Sequence, residues 1–146
     1  MQFTRAEEYG ILGVIYLSEQ PDDRVIALSE IADAKEVPEK FLAKIFQNLT
    51  KTGIVRSHRG VKGGFTLSKD PHTVTVRDVV EAIQGPYHLV KCLHDRNCCD
   101  KYDYCPIRSV LQEAEVELLE VFDSYTISDL RKRKKERKSS RSGRAG

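Results

Sequence analysis

Four cysteines, Cys92, Cys98, Cys99 and Cys105, fall within fourteen residues, and the chain has no others. Thiolates are soft ligands, so thiols gathered this closely in a reduced chain point to metal binding rather than to structural disulfides. No pair has the C-x-x-C spacing that builds a zinc ribbon. Iron–sulfur clusters are held by cysteine thiolates, with other donors entering some sites. A cluster of the 2Fe-2S or 4Fe-4S type is therefore the first expectation for these four residues. The alternative is four reduced thiols without metal. His88 and His94 share the segment, but a loop histidine is more often solvated than ligating.

A second chemistry lies in the charge distribution. The chain carries a net charge of +2, but residues 35–69 hold eight Lys/Arg against Glu36 and Glu39, a net of +6. Residues 70–130 hold five against twelve acids, a net of −7, and residues 131–146 hold nine against one, a net of +8. A compact basic segment between acidic flanks is the electrostatic footprint of a nucleic-acid site. Chance clustering on a solvated helix face is the plainer alternative.

The elements that must position these groups follow from periodicity and punctuation. Thr4-Arg5-Ala6-Glu7 is a capping box opening a mostly buried helix over 4–19, which Gln20-Pro21-Asp22-Asp23 ends. Ser29 is expected to cap a short helix to Ala34. Pro38 suits the first turn of the next helix, whose Phe41, Leu42, Ile45, Phe46 and Leu49 form an apolar stripe ending at Gly53. Strands at 54–57 and 64–67 flank the glycine-rich, basic tip His58-Arg59-Gly60-Val61-Lys62-Gly63. Thr75 caps a helix over about 76–83, and residues 85–105 read as an irregular loop holding every cysteine. A long helix spans Pro106 to Ser124, with glutamates 113, 115, 117 and 120 on its polar side, and Thr126–Leu130 closes the fold. The tail from Arg131 is expected to be disordered, because it is low in apolar residues and dense in charge. The fold class is thus mainly α with a small β-hairpin wing: a winged helix-turn-helix followed by a long C-terminal helix.

Such a pattern suits double-stranded DNA. The major groove admits an α-helix, and base edges are met by side chains near its N-terminus. Lys40, Lys44 and Gln47 lie opposite the apolar stripe of the second helix, with Glu39 and Ala43 on the same side. At the hairpin tip stand His58, Arg59 and Lys62, and a narrow A·T-rich minor groove attracts an inserted arginine. Gly60, Gly63 and Gly64 would let the backbone approach phosphates closely. The basic tail could add sequence-independent phosphate contacts or serve only as a solubilising end. No run of eighteen apolar residues and no secretory signal occurs, so a cytoplasmic location without membrane contact is the expectation. No catalytic constellation or nucleotide-binding glycine loop is present, which argues against an enzyme.

Leu28-Ser29-Glu30-Ile31-Ala32, then 41–55, then Arg59-Gly60-Val61-Lys62-Gly63-Gly64-Phe65-Thr66-Leu67 resemble one family closely. It is the family of iron–sulfur and nitric-oxide-responsive winged-helix regulators typified by IscR and NsrR, and the likeness spans about 1–132. The resemblance implies a homodimer on a pseudo-palindromic operator, with the recognition helix in the major groove and Arg59 in the minor groove. It also makes the long helix a dimerisation element. The segments become a DNA-binding domain (1–84), a cluster-binding loop (85–105), a dimerisation helix (106–130) and a basic tail (131–146). Ala43 stands where IscR has a glutamate used in base discrimination, and Lys40 where a serine is common, so the operator need not be that of IscR. The family's loop carries three cysteines, the last two commonly separated by five residues. Cys92, Cys99 and Cys105 fit that spacing, with five residues between Cys99 and Cys105, while Cys98 fits the other gap better, with five between Cys92 and Cys98. Arg108 occupies the place of the histidine ligand of IscR. Glu8 occupies the place of the acid that NsrR-like proteins take from the partner subunit.

Overall fold

The computed structural model describes residues 3–144; Met1, Gln2, Ala145 and Gly146, the outermost ends of the expected DNA-binding segment and tail, lie outside the described residues. The first helix, α1 (Arg5–Ser18), opens on the expected Thr4–Glu7 box. The Glu7 carboxylate accepts from the Thr4 N–H at 2.6 Å and from the Thr4 hydroxyl, and Glu7 is only 2% exposed. Two short helices follow, α2 (Leu28–Lys35) and α3 (Glu39–Lys51), then the antiparallel hairpin β1 (Val55–His58) and β2 (Gly64–Leu67). Next come α4 (Val76–Gln84), a loop of three single 3-10 turns, α5 (Arg108–Ser124) and α6 (Ile127–Arg144).

The core lies where α1, α2 and α3 converge. Leu42, Ile45, Phe46 and Leu49 of α3 are buried against Val14, Ile15, Ile26, Ile31 and Val79. The Phe46 ring meets Phe65 of the wing edge-on at 4.9 Å. Each such side chain contributes about 1.5–3 kcal/mol by leaving water, and together they fix the angle between recognition helix and hairpin.

Two local expectations are corrected. Ser29 does not cap α2: Ala27 precedes the helix in extended conformation, and Ser29 is an exposed residue inside it. Ile26 is the cause, because its N–H and C=O pair with Phe65 at 3.0 and 2.8 Å, so the chain turns into the helix directly after that bridge. Pro38 likewise precedes α3 rather than lying within it. The turn between α2 and α3 is made by Glu36 in the left-handed region, φ 55°, closed by the Val37 N–H donating to Ala32 O at 2.9 Å.

The largest difference concerns the tail, which is helical through Arg144. Its low apolar content argued for disorder, yet Lys, Arg and Glu are good helix formers, and the first turn supplies the nucleus. Ile127 and Ser128 are buried, and Asp129 and Thr126 bond reciprocally, Thr126 N–H to the carboxylate at 2.9 Å and Asp129 N–H to the hydroxyl at 3.2 Å. The Thr126 N–H and, at 3.0 Å, its hydroxyl both donate to the carboxylate, which favours the ionised form and holds the Asp129 carboxyl below its ordinary pKa. Arg131 then donates to Ser18 O at 2.6 Å, meeting a carbonyl that the end of α1 leaves unpaired, and Lys134 pairs with Glu19 at 2.7 Å. No described helix is long and apolar enough to cross a membrane.

Candidate nucleic-acid interface and cysteine loop

Helix α3 is amphipathic, and its burial divides its two faces. Lys40, Lys44 and Gln47 are exposed along one row, and the same row continues to exposed Lys51, which the sequence reading did not single out. Ala43 is half-buried beside them. Its methyl group leaves the middle of the row flat, so the charged stems on either side define the helix's outward chemistry.

The wing places Arg59 and Lys62 on the exposed tip, with Val61 fully in solvent between them at 106% exposure. The Gly63 N–H donates to Gly60 O at 2.9 Å and closes the tip. The glycines have an internal reason besides any approach to phosphates. A Cβ on Gly63 would stand 2.6 Å from His58 O, and one on Gly64 would stand 2.2 Å from Ile26 O. His58 faces partly inward, because its Nε2 is 2.9 Å from the Thr66 hydroxyl across the hairpin. The basic tip is therefore Arg59 and Lys62, with His58 serving the strand pairing.

The cysteine segment hangs from α5 and α4. Tyr87 is buried, with its ring 5.9 Å from Phe122 of α5. Glu115, expected on the solvated side of the long helix, instead turns toward the loop. Its carboxylate accepts from the Leu89 N–H at 3.0 Å and lies 3.1 Å from His88 Nδ1, and the His88 ring stacks on His94 at 4.3 Å. Arg108, in the place of a histidine ligand, lies over the Tyr102 ring at 4.3 Å. Cys92 and Cys105 are half-buried, Cys98 and Cys99 are exposed, and all four are free thiols. Partial desolvation, then the charges of Cys92 and Asp95, push the Cys98 thiol up from its usual pKa.

Among the described residues no three His, Cys, Asp or Glu side chains gather into a group able to hold a metal. The fit to an iron–sulfur cluster is thus one of donor chemistry: four accessible thiols on one loop, and an exposed Glu8 on the first turn of α1. Glu7, its neighbour, is committed to the helix cap.

Glu115 is the polar tie between this loop and α5. Losing a bond to a charged group costs about 1.5–3 kcal/mol. Glu115→Ala is expected to release the loop, and limited trypsin digestion at Lys91, Arg96 and Lys101 should quicken roughly tenfold. Unchanged cleavage would mean that Tyr87 alone holds the segment.

Outward from the loop, α5 has no buried residue, and Ile107, Val110, Val116 and Val121 are each 50–54% exposed. Its inward residues Leu118, Leu119 and Phe122 pack on Val76, Val80 and Tyr87.

Two short helices, a basic outward row on the second and a hairpin packed against it define a winged-helix transcription regulator rather than an enzyme. The chain belongs to the Rrf2 family, described as an iron-dependent transcriptional regulator, which it matches over residues 3–133. It is 30% identical over 131 residues to the HTH-type transcriptional regulator NsrR of Shouchella clausii (strain KSM-K16), covering 89% of this chain and 88% of that protein. Among solved structures it is similar to CymR (YrzC), the global cysteine regulator of B. subtilis, at 25% identity and a TM-score of 0.71, over 90% of this chain and 97% of that one. It shares the fold of T. potens IscR at 24% identity and a TM-score of 0.72, over 93% and 90% of the two chains. Rrf2 regulators bind DNA and are typically dimeric.

Proposed function

We propose that this chain is a homodimeric, cluster-sensing DNA-binding regulator. Lys40, Lys44 and Gln47 of α3 meet the major groove of a pseudo-palindromic operator, and Arg59 and Lys62 of the wing meet the adjacent minor groove and phosphates. The flank of α5 that exposes Ile107, Val110 and Val121 packs on its copy in a second subunit. Cys92, Cys105 and one or both of Cys98 and Cys99 hold an iron–sulfur cluster, with Glu8 of the partner subunit as the further donor. The cluster would supply a redox- and nitric-oxide-sensitive bond set between the loop and the partner. The observation that carries this reading is the attachment of the cysteine loop to α5 through Glu115 and Tyr87. A change at the thiols is thereby linked to the helix that sets the separation of two recognition helices, which must lie about 34 Å apart for successive half-sites. A signal acts only through such a difference between states.

The test is to purify the protein anaerobically, assay iron and sulfide, and titrate operator duplex with loaded and cluster-free protein. Stoichiometric iron and sulfide with at least a tenfold difference in affinity is the expected result. Iron and sulfide absent from anaerobic protein would remove the cluster, and equal affinities would remove the switch. A cluster-free thiol- or metal-responsive repressor is the second reading. It is favoured by the exposed free thiols of Cys98 and Cys99, and by the similarity to a cysteine regulator. The same metal assay separates the two.

A further inference from the structure

Helix α6 presents more uncompensated charge than its place in the fold requires. Its 18 residues extend about 27 Å at the helical rise per residue. The first two turns are fixed to the body by Ile127, Ser128, Arg131 and Lys134. Beyond them Lys135, Arg137, Lys138, Arg141 and Arg144 are all exposed, and none of them has an acidic partner among the described residues. Like charges three and four residues apart oppose helix formation, and Lys134–Lys138, Arg137–Arg141 and Lys138–Arg141 are such pairs. A helix built this way gains most from a polyanion that neutralises several cations at once.

Its location says which polyanion. Lys35, the last residue of α2, holds its ammonium 5.5 Å above the Tyr16 ring of α1, and one turn further along α1 Glu19 pairs with Lys134 of α6 at 2.7 Å. Burial, then the like charge of Lys134, lower the Lys35 pKa from its ordinary value against the opposing pull of Glu19. The cationic strip of α6 therefore begins at the helix-turn-helix itself, beside the turn that leads into α3. We infer that α6 is a second, sequence-independent DNA-binding element that lies along the phosphates flanking the operator, extending the basic surface outward from Lys35 at the end of α2. It rests on the reading of α3 as the helix that enters the groove.

The test compares the full chain with a variant carrying Lys135→Gln, Arg137→Gln, Lys138→Gln and Arg141→Gln. These side chains are exposed and the anchoring turns are untouched, so circular dichroism should report an unchanged fold. Each phosphate contact contributes a slope of about 0.9 to the plot of log affinity against log salt. On operator duplex the slope should become shallower by about 2 or more, hydroxyl-radical protection should shrink at its outer edges, and discrimination between operator and scrambled sequence should persist. On a scrambled duplex alone the variant should also bind at least tenfold more weakly, a result that stands even if α3 proves not to read sequence. An unchanged slope and footprint would overturn the inference, as would a loss confined to binding of phosphatidylserine vesicles.

Discussion

Replacing Lys44 and Arg59 together by alanine should reduce operator affinity by about a thousandfold or more while leaving thermal unfolding almost unmoved. Both side chains are exposed, one on the outward row of α3 and one on the wing, and neither bonds to another described residue. Truncating such surface groups changes folding stability by no more than about 0.5 kcal/mol. Each lost base or phosphate contact costs about 1–3 kcal/mol. In the proposed dimer each is lost twice, so four contacts sum to at least about 4 kcal/mol, or three decades in affinity. The single variants should separate the two roles. Arg59→Ala should flatten the preference for A·T pairs at the site that the wing occupies, because a narrow minor groove is read through its potential. Lys44→Ala should weaken operator and non-operator duplexes more evenly if it holds phosphate, and relax one base position if it holds guanine. Fluorescence anisotropy on a duplex selected by the parent protein from genomic fragments measures all three. Affinity within threefold of the parent for the double variant would place the DNA surface elsewhere.

The winged-helix fold was legible in the sequence because its signals are local. A 3.6-residue stripe at Leu42, Ile45, Phe46 and Leu49 defines α3 wherever the helix is packed, and opposite it Lys40, Lys44 and Gln47 must face out. The hairpin announces itself by glycines and cations between two short β-prone runs. What escaped depends on partners distant in sequence. The entry to α2 is set by Ile26 pairing with Phe65, so a serine at position 29 that looks like a cap is left on the surface. Glu115 looks like one more solvated glutamate on α5, and only the docking of residues 88–89 gives it a structural bond. The helical tail escapes for the same reason: its stability comes from buried Ile127, whose N–H donates to Val74 O at 2.9 Å, and from Arg131 and Lys134 meeting the end of α1 more than a hundred residues away in the chain. The ligand set is not legible in one chain, because donor types can be counted in a sequence but their convergence cannot.

The cysteine loop and the winged helix meet through α1 and α5. Helix α1 packs on α3, α4 and α6, and α5 packs on α4 and the cysteine loop. A displacement of the loop thus reaches α3 only through helices already locked in the core by Phe46, Val79 and Ile127, which are fully buried. Close-packed elements of this kind move as bodies rather than deform. The switch proposed here is accordingly a change in how two rigid winged helices are set about α5, not a refolding of the recognition helix.

Rigid placement of the wing depends most on Gly64. Its backbone passes so close to Ile26 that an added methyl group would sit 2.2 Å from the carbonyl oxygen, 2.5 Å from the carbonyl carbon and 2.9 Å from Ala27 N. These are backbone atoms and cannot rotate away as a side chain could. Gly64→Ala must therefore break the Ile26–Phe65 bridge, with its two bonds of 3.0 and 2.8 Å, or push β2 off β1. Phe65 would be drawn from its edge contact with Phe46, which opens the core from the wing side. Two backbone bonds at about 1 kcal/mol each, together with lost packing of a large aromatic, give an expected destabilisation of about 3 kcal/mol or more. Denaturant titration should report it as a lower midpoint at unchanged slope. The operator affinity of the folded fraction should also fall at least tenfold, because Arg59 is carried on the displaced hairpin. The neighbouring Gly60→Ala supplies the contrast: its φ of 112° strains any side chain, but nothing lies within 4 Å of the new methyl. Its cost should be confined to the tip, about 1–2 kcal/mol, with the core intact. Equal effects of the two substitutions would mean that backbone conformation, rather than the approach to Ile26, fixes the wing.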